Sequence, residues 1–151
     1  GPAKLAAVPA ADGVHAIDYL RDGWPDEVRR VLGEREATVV LDGVGGAAGR
    51  AALELLAPGG RYVLHGYASG APTEVTTRDL YSLGITAMAA IGPRILRRPG
   101  GLRPLEATAL AEAAAGRLVP TMGNRFPLAE AAAAHTALES RSTVGKVVLV
   151  P

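Results

Sequence analysis

The sequence predicts an α/β domain built on a parallel β-sheet. Short apolar, β-branched runs alternate with segments of helical pattern along most of the 151 residues. Two glycine-rich stretches directly follow two of those runs. Strands that alternate with helices of this length are typical of parallel sheets, because each parallel connection needs a crossover that is usually helical.

The predicted elements follow in chain order. Apolar runs bounded by glycine, proline or polar residues predict strands at 14–19, 37–41, 61–65, 85–91 and 146–150, with an extended segment at 125–128. Helices are predicted at 26–32, 50–56, 79–83, 104–116 and 129–139, and glycine-rich loops at 42–49 and 66–70. In the helix over 104–116, Leu105, Ala109 and Ala113 are expected to form an apolar stripe.

Composition excludes several classes of protein. The chain is 48% hydrophobic and 21% charged, with a net charge of +1 and no cysteine, which indicates a soluble globular protein without disulfides or thiolate metal sites. Neither a signal peptide nor an apolar run of about 18 residues is present, so we expect a cytoplasmic protein with no membrane partner. One basic cluster is interrupted by prolines and glycines and lacks aromatic neighbours, which favours a solvated loop over a nucleic-acid surface: Arg94, Arg97, Arg98 and Arg103.

The first glycine-rich stretch matches the dinucleotide-binding pattern G-x-G-x-x-G/A over residues 43–48. It follows a predicted strand and opens a helix, where free backbone N–H groups favour an anion. An acidic residue roughly 20 positions later, which would hold a ribose hydroxyl, is absent, since the next strand ends in His65-Gly66-Tyr67. Two interpretations therefore stay open: a pyrophosphate site, or a tight turn from strand to helix.

A second alternative for the same stretch is an S-adenosylmethionine-dependent methyltransferase. Residues 40–46 imitate the first motif of that family, and residues 56–61 imitate a later motif. One short helix separates the two segments here, whereas several elements separate them in methyltransferases.

Taken in order, the segments resemble the medium-chain dehydrogenase/reductase superfamily and, within it, the zinc-free quinone oxidoreductases. The resemblance runs from about Lys4 to the end of the chain, through residues 15–19, 26–32, 39–46, 55–61, 66–70, 117–120, 126–131, His135 and the closing 136–151. It implies a Rossmann-like, three-layer parallel sheet that binds NADPH. The implied reaction is hydride transfer from nicotinamide to a quinone or an enone.

The resemblance also implies that this chain is the C-terminal, cofactor-domain half of such an enzyme. Residues 1–13 would be an N-terminal remnant, 14–117 a partial cofactor-binding domain, and 118–151 a segment that joins the substrate domain. The strands at 14–19, 37–41, 61–65 and 85–91 would be strands three to six of the sheet, with the first two absent. The gap would be filled by an upstream half, by direct pairing of strands three and four, or by another copy. The strand at 146–150 would lack its usual partners.

The resemblance assigns cofactor contacts to seven residues: Tyr19, Gly43, Val44, Gly45, Gly66, Tyr67 and Lys146. Tyr19 would flank the adenosine 2′-phosphate end, although a half-buried aromatic capping a strand fits equally well. The loop at 43–46 would lie along the cofactor without being its phosphate cradle. Lys146 would lie near the nicotinamide end, with an exposed strand-edge lysine as the alternative.

No catalytic residue or metal site is predicted. The three histidines, His15, His65 and His135, lack the spacing of a metal motif, and catalytic zinc normally needs three protein ligands. Asp18, Asp42 and Glu54 are expected to be cap, turn and surface residues. The chain by itself lacks the family's glycine fingerprint and most of the substrate domain, so whether it is active alone stays open.

The expected partners are a small-molecule substrate, the upstream half of the same enzyme, and a second copy. The strand at 85–91 is uncharged and lies at the sheet edge, where its unpaired backbone groups would promote aggregation unless another element covers them. In the family this edge commonly pairs with itself, so we expect a homodimer through residues 85–91. A non-catalytic Rossmann-like interaction module is the alternative from another functional class.

Overall fold

The computed structural model describes all 151 residues. The helices are α1 Pro2–Ala6, α2 Trp24–Leu32, α3 Gly46–Leu53, α4 Thr77–Leu83, α5 Pro93–Leu96, α6 Arg103–Ala114 and α7 Ala131–Glu139, with a short 3₁₀ helix at Leu128–Glu130. The strands are β1 Ala37–Asp42, β2 Leu56–Leu64, β3 Thr86–Ala89, β4 Met122–Pro127 and β5 Lys146–Val150. No helix is long and apolar enough to span a membrane.

The chain divides into two compact units. One consists of Asp12–Pro99, and the other combines Gly1–Ala11 with Gly100–Pro151. Helix α6 therefore groups with the C-terminal residues, whereas the sequence assigned it to the cofactor-binding part. The bounds 1–13, 14–117 and 118–151, which concern an intact enzyme, stay a prediction.

The unit Asp12–Pro99 contains a parallel three-stranded sheet in the order β1–β2–β3. One row of paired residues across the three strands consists of Leu41, Val63 and Met88. The adjacent row, one residue earlier in each strand, consists of Val40, Tyr62 and Ala87. Side chains alternate between the two faces of a sheet, so these rows lie on opposite faces. The α/β class and the incomplete Rossmann-like parallel sheet are thus confirmed.

Only one face of this sheet is well covered within its unit. Leu53, Leu56, Tyr62 and Ile85 form the buried core, and α3 and α4 contact the strands. On the opposite face Leu41 remains 68% exposed. Helices therefore cover one face of the sheet, and most of the helical layer that a three-layer fold has on the other face is lacking.

The prediction of a strand at 14–19 was wrong. These residues form an irregular segment that ends in a turn, where the Arg21 N–H donates to the Asp18 carbonyl and the Leu20 N–H donates to the Asp18 side chain. A strand needs a neighbour for its backbone groups, and none lies beside this segment. Direct pairing of the predicted third and fourth strands does not occur either.

The C-terminal unit contains a second, two-stranded sheet and helix α6. Strand β5 forms at 146–150 as predicted and pairs in parallel with β4, and α7 contacts both strands and buries Ala134. The expected lack of its usual partners, which concerns an intact enzyme, stays a prediction. Helix α6 forms as predicted, but no residue of it is buried, so the stripe of Leu105, Ala109 and Ala113 covers no core.

Several boundaries differ from the prediction. Helix α3 begins at Gly46, inside the stretch assigned to a loop, and β2 begins at Leu56, ahead of the glycines taken as a helix stop. The register between β1 and β2 shifts between Ala37 and Val39, which accommodates Pro58-Gly59-Gly60 as an irregularity. Strand β3 is shorter than 85–91, and the basic cluster expected in a loop includes the short helix α5.

Candidate functional site

Two glycine loops meet where β1 and β2 end, which is the edge at which open parallel sheets bind ligands. We call residues 43–46 the first glycine loop and residues 66–70 the second glycine loop. The Ala68 N–H donates to the Gly43 carbonyl at 3.1 Å, and the Ser69 N–H donates to the Val44 carbonyl at 2.8 Å. These backbone bonds join the loops into one continuous surface.

The loops approach so closely that glycine is required at their contact. Gly45 has φ of +73°, and a Cβ there would lie 2.2 Å from the Ala71 carbonyl oxygen. A Cβ on Gly43 would lie 2.5 Å from the His65 ring. A side chain at Gly45 would meet backbone, which cannot swing aside, so the close loop contact depends on glycine there.

A buried carboxylate lies beneath the first glycine loop. Asp42, the last residue of β1, is 5% exposed. Its Oδ1 accepts the N–H groups of Val44 and Gly45 at 2.9 and 3.0 Å. Its Oδ2 accepts the Thr73 hydroxyl at 2.6 Å and the Tyr62 hydroxyl at 3.0 Å. Burial by itself raises the pKa of Asp42, but the bonds from Thr73, Gly45, Val44 and Tyr62 lower it below the ordinary value.

Tyr62 links this carboxylate to helix α3. Its hydroxyl lies 2.7 Å from the Gly49 carbonyl, so its single proton is shared between that carbonyl and Asp42, and the side chain is fully buried. Burial, together with the neighbouring Asp42 charge, raises the pKa of Tyr62 to about 12. The phenol therefore stays neutral near pH 7 and acts as a hydrogen-bond donor.

The carboxylate favours one of the two interpretations of the glycine pattern. A phosphate cradle needs free backbone N–H groups. Those of Val44 and Gly45 already donate to Asp42, which also places a negative charge behind the loop. These bonds favour a tight turn between strand and helix over a pyrophosphate site, and the choice between the two stays a prediction.

An ion pair holds α3 against α4 on the same side of the sheet. The two terminal nitrogens of Arg50 each lie 2.8 Å from a different Asp79 carboxylate oxygen. Asp79 also completes a capping box with Thr76 at the start of α4. The hydrogen bonds from Arg50, then those from Thr76, hold the pKa of Asp79 well below its usual range.

The structure brings together five of the residues that the sequence singled out: Gly43, Val44, Gly45, Gly66 and Tyr67. Tyr67 is 62% exposed on the joined loops. Tyr19 lies in the turn after the irregular segment 14–18 and not at the end of a strand. Lys146 is the exposed first residue of β5, in the other unit. The role of each toward a cofactor stays a prediction.

Sequence reasoning missed the buried network behind these loops. Asp42 was expected to be a turn residue, which is correct for its bonds to Val44 and Gly45, but its burial and its bonds to Thr73 and Tyr62 were not foreseen. The available signal was an aspartate between an apolar strand and a glycine run, since aspartate often accepts N–H groups two residues on.

Across residues 1–151 no group of three or more histidine, aspartate or glutamate side chains is placed to hold an ion. The joined loops instead offer backbone groups and one exposed phenol, which suit binding and orientation of a ligand.

Comparison with known proteins decides the family. The model of a family described as zinc-binding dehydrogenase matches residues 12–149. The chain belongs to this family. Within it, the chain is a quinone oxidoreductase-like C-terminal domain of the medium-chain dehydrogenase/reductase superfamily, which confirms the resemblance seen in the sequence.

Individual relatives agree with this assignment. The chain is 30% identical to a 2-haloacrylate reductase of Burkholderia sp, over 91% of this chain and 42% of the relative. It is 33% identical to a quinone oxidoreductase of Pseudomonas aeruginosa, over 89% of this chain and 42% of the relative. A mycobacterial protein solved in complex with NADPH is 33% identical, with a TM-score of 0.74 over 89% of this chain and 42% of that one. The chain thus spans about two fifths of the relatives it matches.

Proposed function

We propose that this chain is the NADPH-binding, C-terminal portion of a reductase that transfers hydride from nicotinamide to a quinone or an enone. The observation that carries the proposal is the pair of joined glycine loops at the carboxyl ends of β1 and β2, in a chain of the quinone oxidoreductase-like family. Relatives named for reduction of 2-haloacrylate and of quinones support the reaction class.

NADPH would supply the hydride, and the protein would bind and orient it. In this proposal Gly43, Val44 and Gly45 form the floor against which the cofactor lies, and the exposed Tyr67 flanks it. Gly66 keeps the second glycine loop close, because a Cβ there would lie 3.1 Å from the Gly43 carbonyl oxygen. Tyr19 and Lys146 remain proposed contacts at the two ends of the cofactor.

The missing part of the sheet is proposed to come from an upstream half of the same enzyme. Strand β1 is an open edge of the sheet. On the poorly covered face Val39 and Leu41 are exposed beside Val63, so that a further strand and its helices would find an apolar surface. A small-molecule substrate would then bind against the complete domain.

We further propose a homodimer through β3, whose outer edge is also open. The Ala90 N–H donates to the Leu64 carbonyl of β2, and N–H groups alternate along a strand, so the Ala89 N–H points to the open edge. Ala89→Pro should therefore remove an outward donor without breaking the pairing with β2. Light scattering should give a dimer for the parent and a monomer for the variant; a dimeric variant contradicts this interface.

Titration with NADPH, followed by amide NMR, tests the cofactor proposal. We expect weak binding, with a dissociation constant on the order of 1 mM, because much of a cofactor site would lie in the upstream half. Shift changes should concentrate at 42–46 and 65–71. Tyr67→Ala should weaken binding several-fold, whereas Tyr81→Ala, which removes a 91% exposed tyrosine from α4, should not.

The alternatives predict different titrations. A methyltransferase-like domain would respond to S-adenosylmethionine at the same residues, and family membership argues against it. A non-catalytic interaction module would respond to neither compound; its open sheet edges are the observation in its favour. Absence of NADPH-induced shifts up to 10-fold above the expected dissociation constant, or shifts located away from both glycine loops, would overturn the proposal.

A further inference from the structure

We infer that Asp42 is a positioning residue: its buried carboxylate holds the first glycine loop in the shape that receives the cofactor. The inference rests on the proposed function. It adds that a buried hydrogen-bond network of three side chains, Asp42, Tyr62 and Thr73, sets the shape of the loop.

The hydrogen bonds show that Asp42 acts through the loop and not on a ligand. Oδ1 accepts the N–H groups of Val44 and Gly45, and Oδ2 accepts the Thr73 hydroxyl. Oδ2 also lies 3.0 Å from the Tyr62 hydroxyl, whose single proton is shared with the Gly49 carbonyl. Three donors and the adjacent phenol thus surround the two carboxylate oxygens. With the side chain buried, no acceptor capacity points outward.

Burial of the charge makes loop shape and hydrogen bonding interdependent. A carboxylate in an apolar interior is tolerated only when donors surround it. If the first glycine loop opened, Oδ1 would lose both of its donors at once. The loop is therefore held closed before any cofactor arrives, which reduces the ordering that binding would otherwise have to impose.

Thr73 connects Asp42 to the chain segment that follows the second glycine loop. Its hydroxyl makes the shortest bond to Asp42, and Gly49 of α3 leaves space for it, since a Cβ at Gly49 would lie 1.8 Å from that hydroxyl oxygen. The network thus connects β1, α3, β2 and the segment after the second glycine loop at a single carboxylate.

Substitutions at Thr73 test the inference with a matched pair. Thr73→Val keeps the shape and removes the donor, whereas Thr73→Ser keeps the donor. We expect Thr73→Val and Asp42→Asn each to weaken NADPH binding by roughly tenfold, with Thr73→Ser close to the parent. In the same variants the Val44 and Gly45 amide protons should move upfield and exchange faster, because their acceptor has lost its charge or its orientation.

The outcomes separate this inference from the proposed function. If the parent chain does not bind NADPH, the proposed function fails, and the amide signals still report whether Asp42 orders the loop. If the parent binds NADPH and folded Thr73→Val binds equally well with unchanged Val44 and Gly45 signals, the inference is overturned. Should Asp42→Asn fail to fold, Thr73→Val and Tyr62→Phe, which each remove one donor, decide the matter by the same two measurements.

Discussion

Gly49 is a residue at which helix propensity and packing make opposite demands. It lies inside α3, where replacing glycine with alanine normally stabilises a helix by about 1 kcal/mol. A Cβ there would overlap the Thr73 hydroxyl and approach the Asp42 carboxylate at 2.6 Å. We expect Gly49→Ala to destabilise the protein by about 1–3 kcal/mol, as overpacked cores do.

Urea unfolding measures this change in the free energy of unfolding. Gly92→Ala is the matched control, since its new Cβ would meet only the Ala89 Cβ at 4.0 Å and its φ is not positive. A Gly49→Ala variant that is as stable as the parent would show that the buried network can move aside.

Tyr62 carries a second prediction at the scale of single residues. Tyr62→Phe removes the one buried O–H that the Gly49 carbonyl and Asp42 share, so the free energy of unfolding at pH 7 should fall by about 1–3 kcal/mol. Tyr81→Phe, at an exposed site, should change it by less than about 0.5 kcal/mol.

The pH dependence of the same variant follows from the raised pKa of Tyr62. An unfolded tyrosine loses its proton near pH 10, whereas the folded one keeps it to about pH 12. The contribution of Tyr62 is thus complete below pH 10 and is lost as the pH rises toward 12. Unfolding curves at pH 7 and pH 11 should show the gap between parent and Tyr62→Phe becoming smaller; a constant gap contradicts the assignment.

Among the elements, α4 depends on its first turn. Thr76 accepts the Asp79 N–H, and its own N–H donates to the Asp79 carboxylate that Arg50 also holds. Removing an N-cap side chain typically costs about 1 kcal/mol. Thr76→Ala should therefore lower the free energy of unfolding by about that amount, measured by urea unfolding.

Thr77→Ala provides the control for this helix, because Thr77 is exposed at the adjacent position and lies outside the capping box. Equal effects of the two substitutions would show that the loss comes from β-branched threonine in general and not from the cap.

Elements that are specified by local sequence signals and that find their adjacent strand could be predicted. An element that needs an adjacent strand and has none could not. Strand β1 and helix α2 were placed correctly within a few residues, since apolar runs and glycine stops act locally. The segment 14–19 has an equally good strand pattern but no neighbouring strand, so it forms an irregular segment that ends in a turn. The start of α3 at Gly46 was missed because the glycine run was taken as a loop, although Asp42 accepts the Val44 and Gly45 N–H groups and so shapes a short turn before the helix.

On the scale of the whole molecule, the poorly covered sheet face is expected to be an assembly surface. Leu41 is 68% exposed, so Leu41→Lys should change the free energy of unfolding of this chain by less than about 0.5 kcal/mol. In an enzyme completed by its upstream half, the same lysine would be buried without a partner, which should abolish assembly.

Co-expression with an upstream half from a related reductase, followed by affinity capture, measures this assembly. Leu110→Lys is the control, with a leucine 70% exposed on α6. Capture of the Leu41→Lys chain at the parent level would contradict the location of this interface.

The sequence by itself determined the family, the parallel α/β class and the positions of both glycine loops, because ordered local patterns encode all three. Tertiary structure decided the character of the site. It showed that Asp42 occupies the Val44 and Gly45 amides, that Tyr62 and Thr73 complete its shell, and that the segment 14–19 is not a strand. The physical reason is that burial and hydrogen-bond satisfaction depend on residues 20 to 31 positions apart, which meet only when the chain folds.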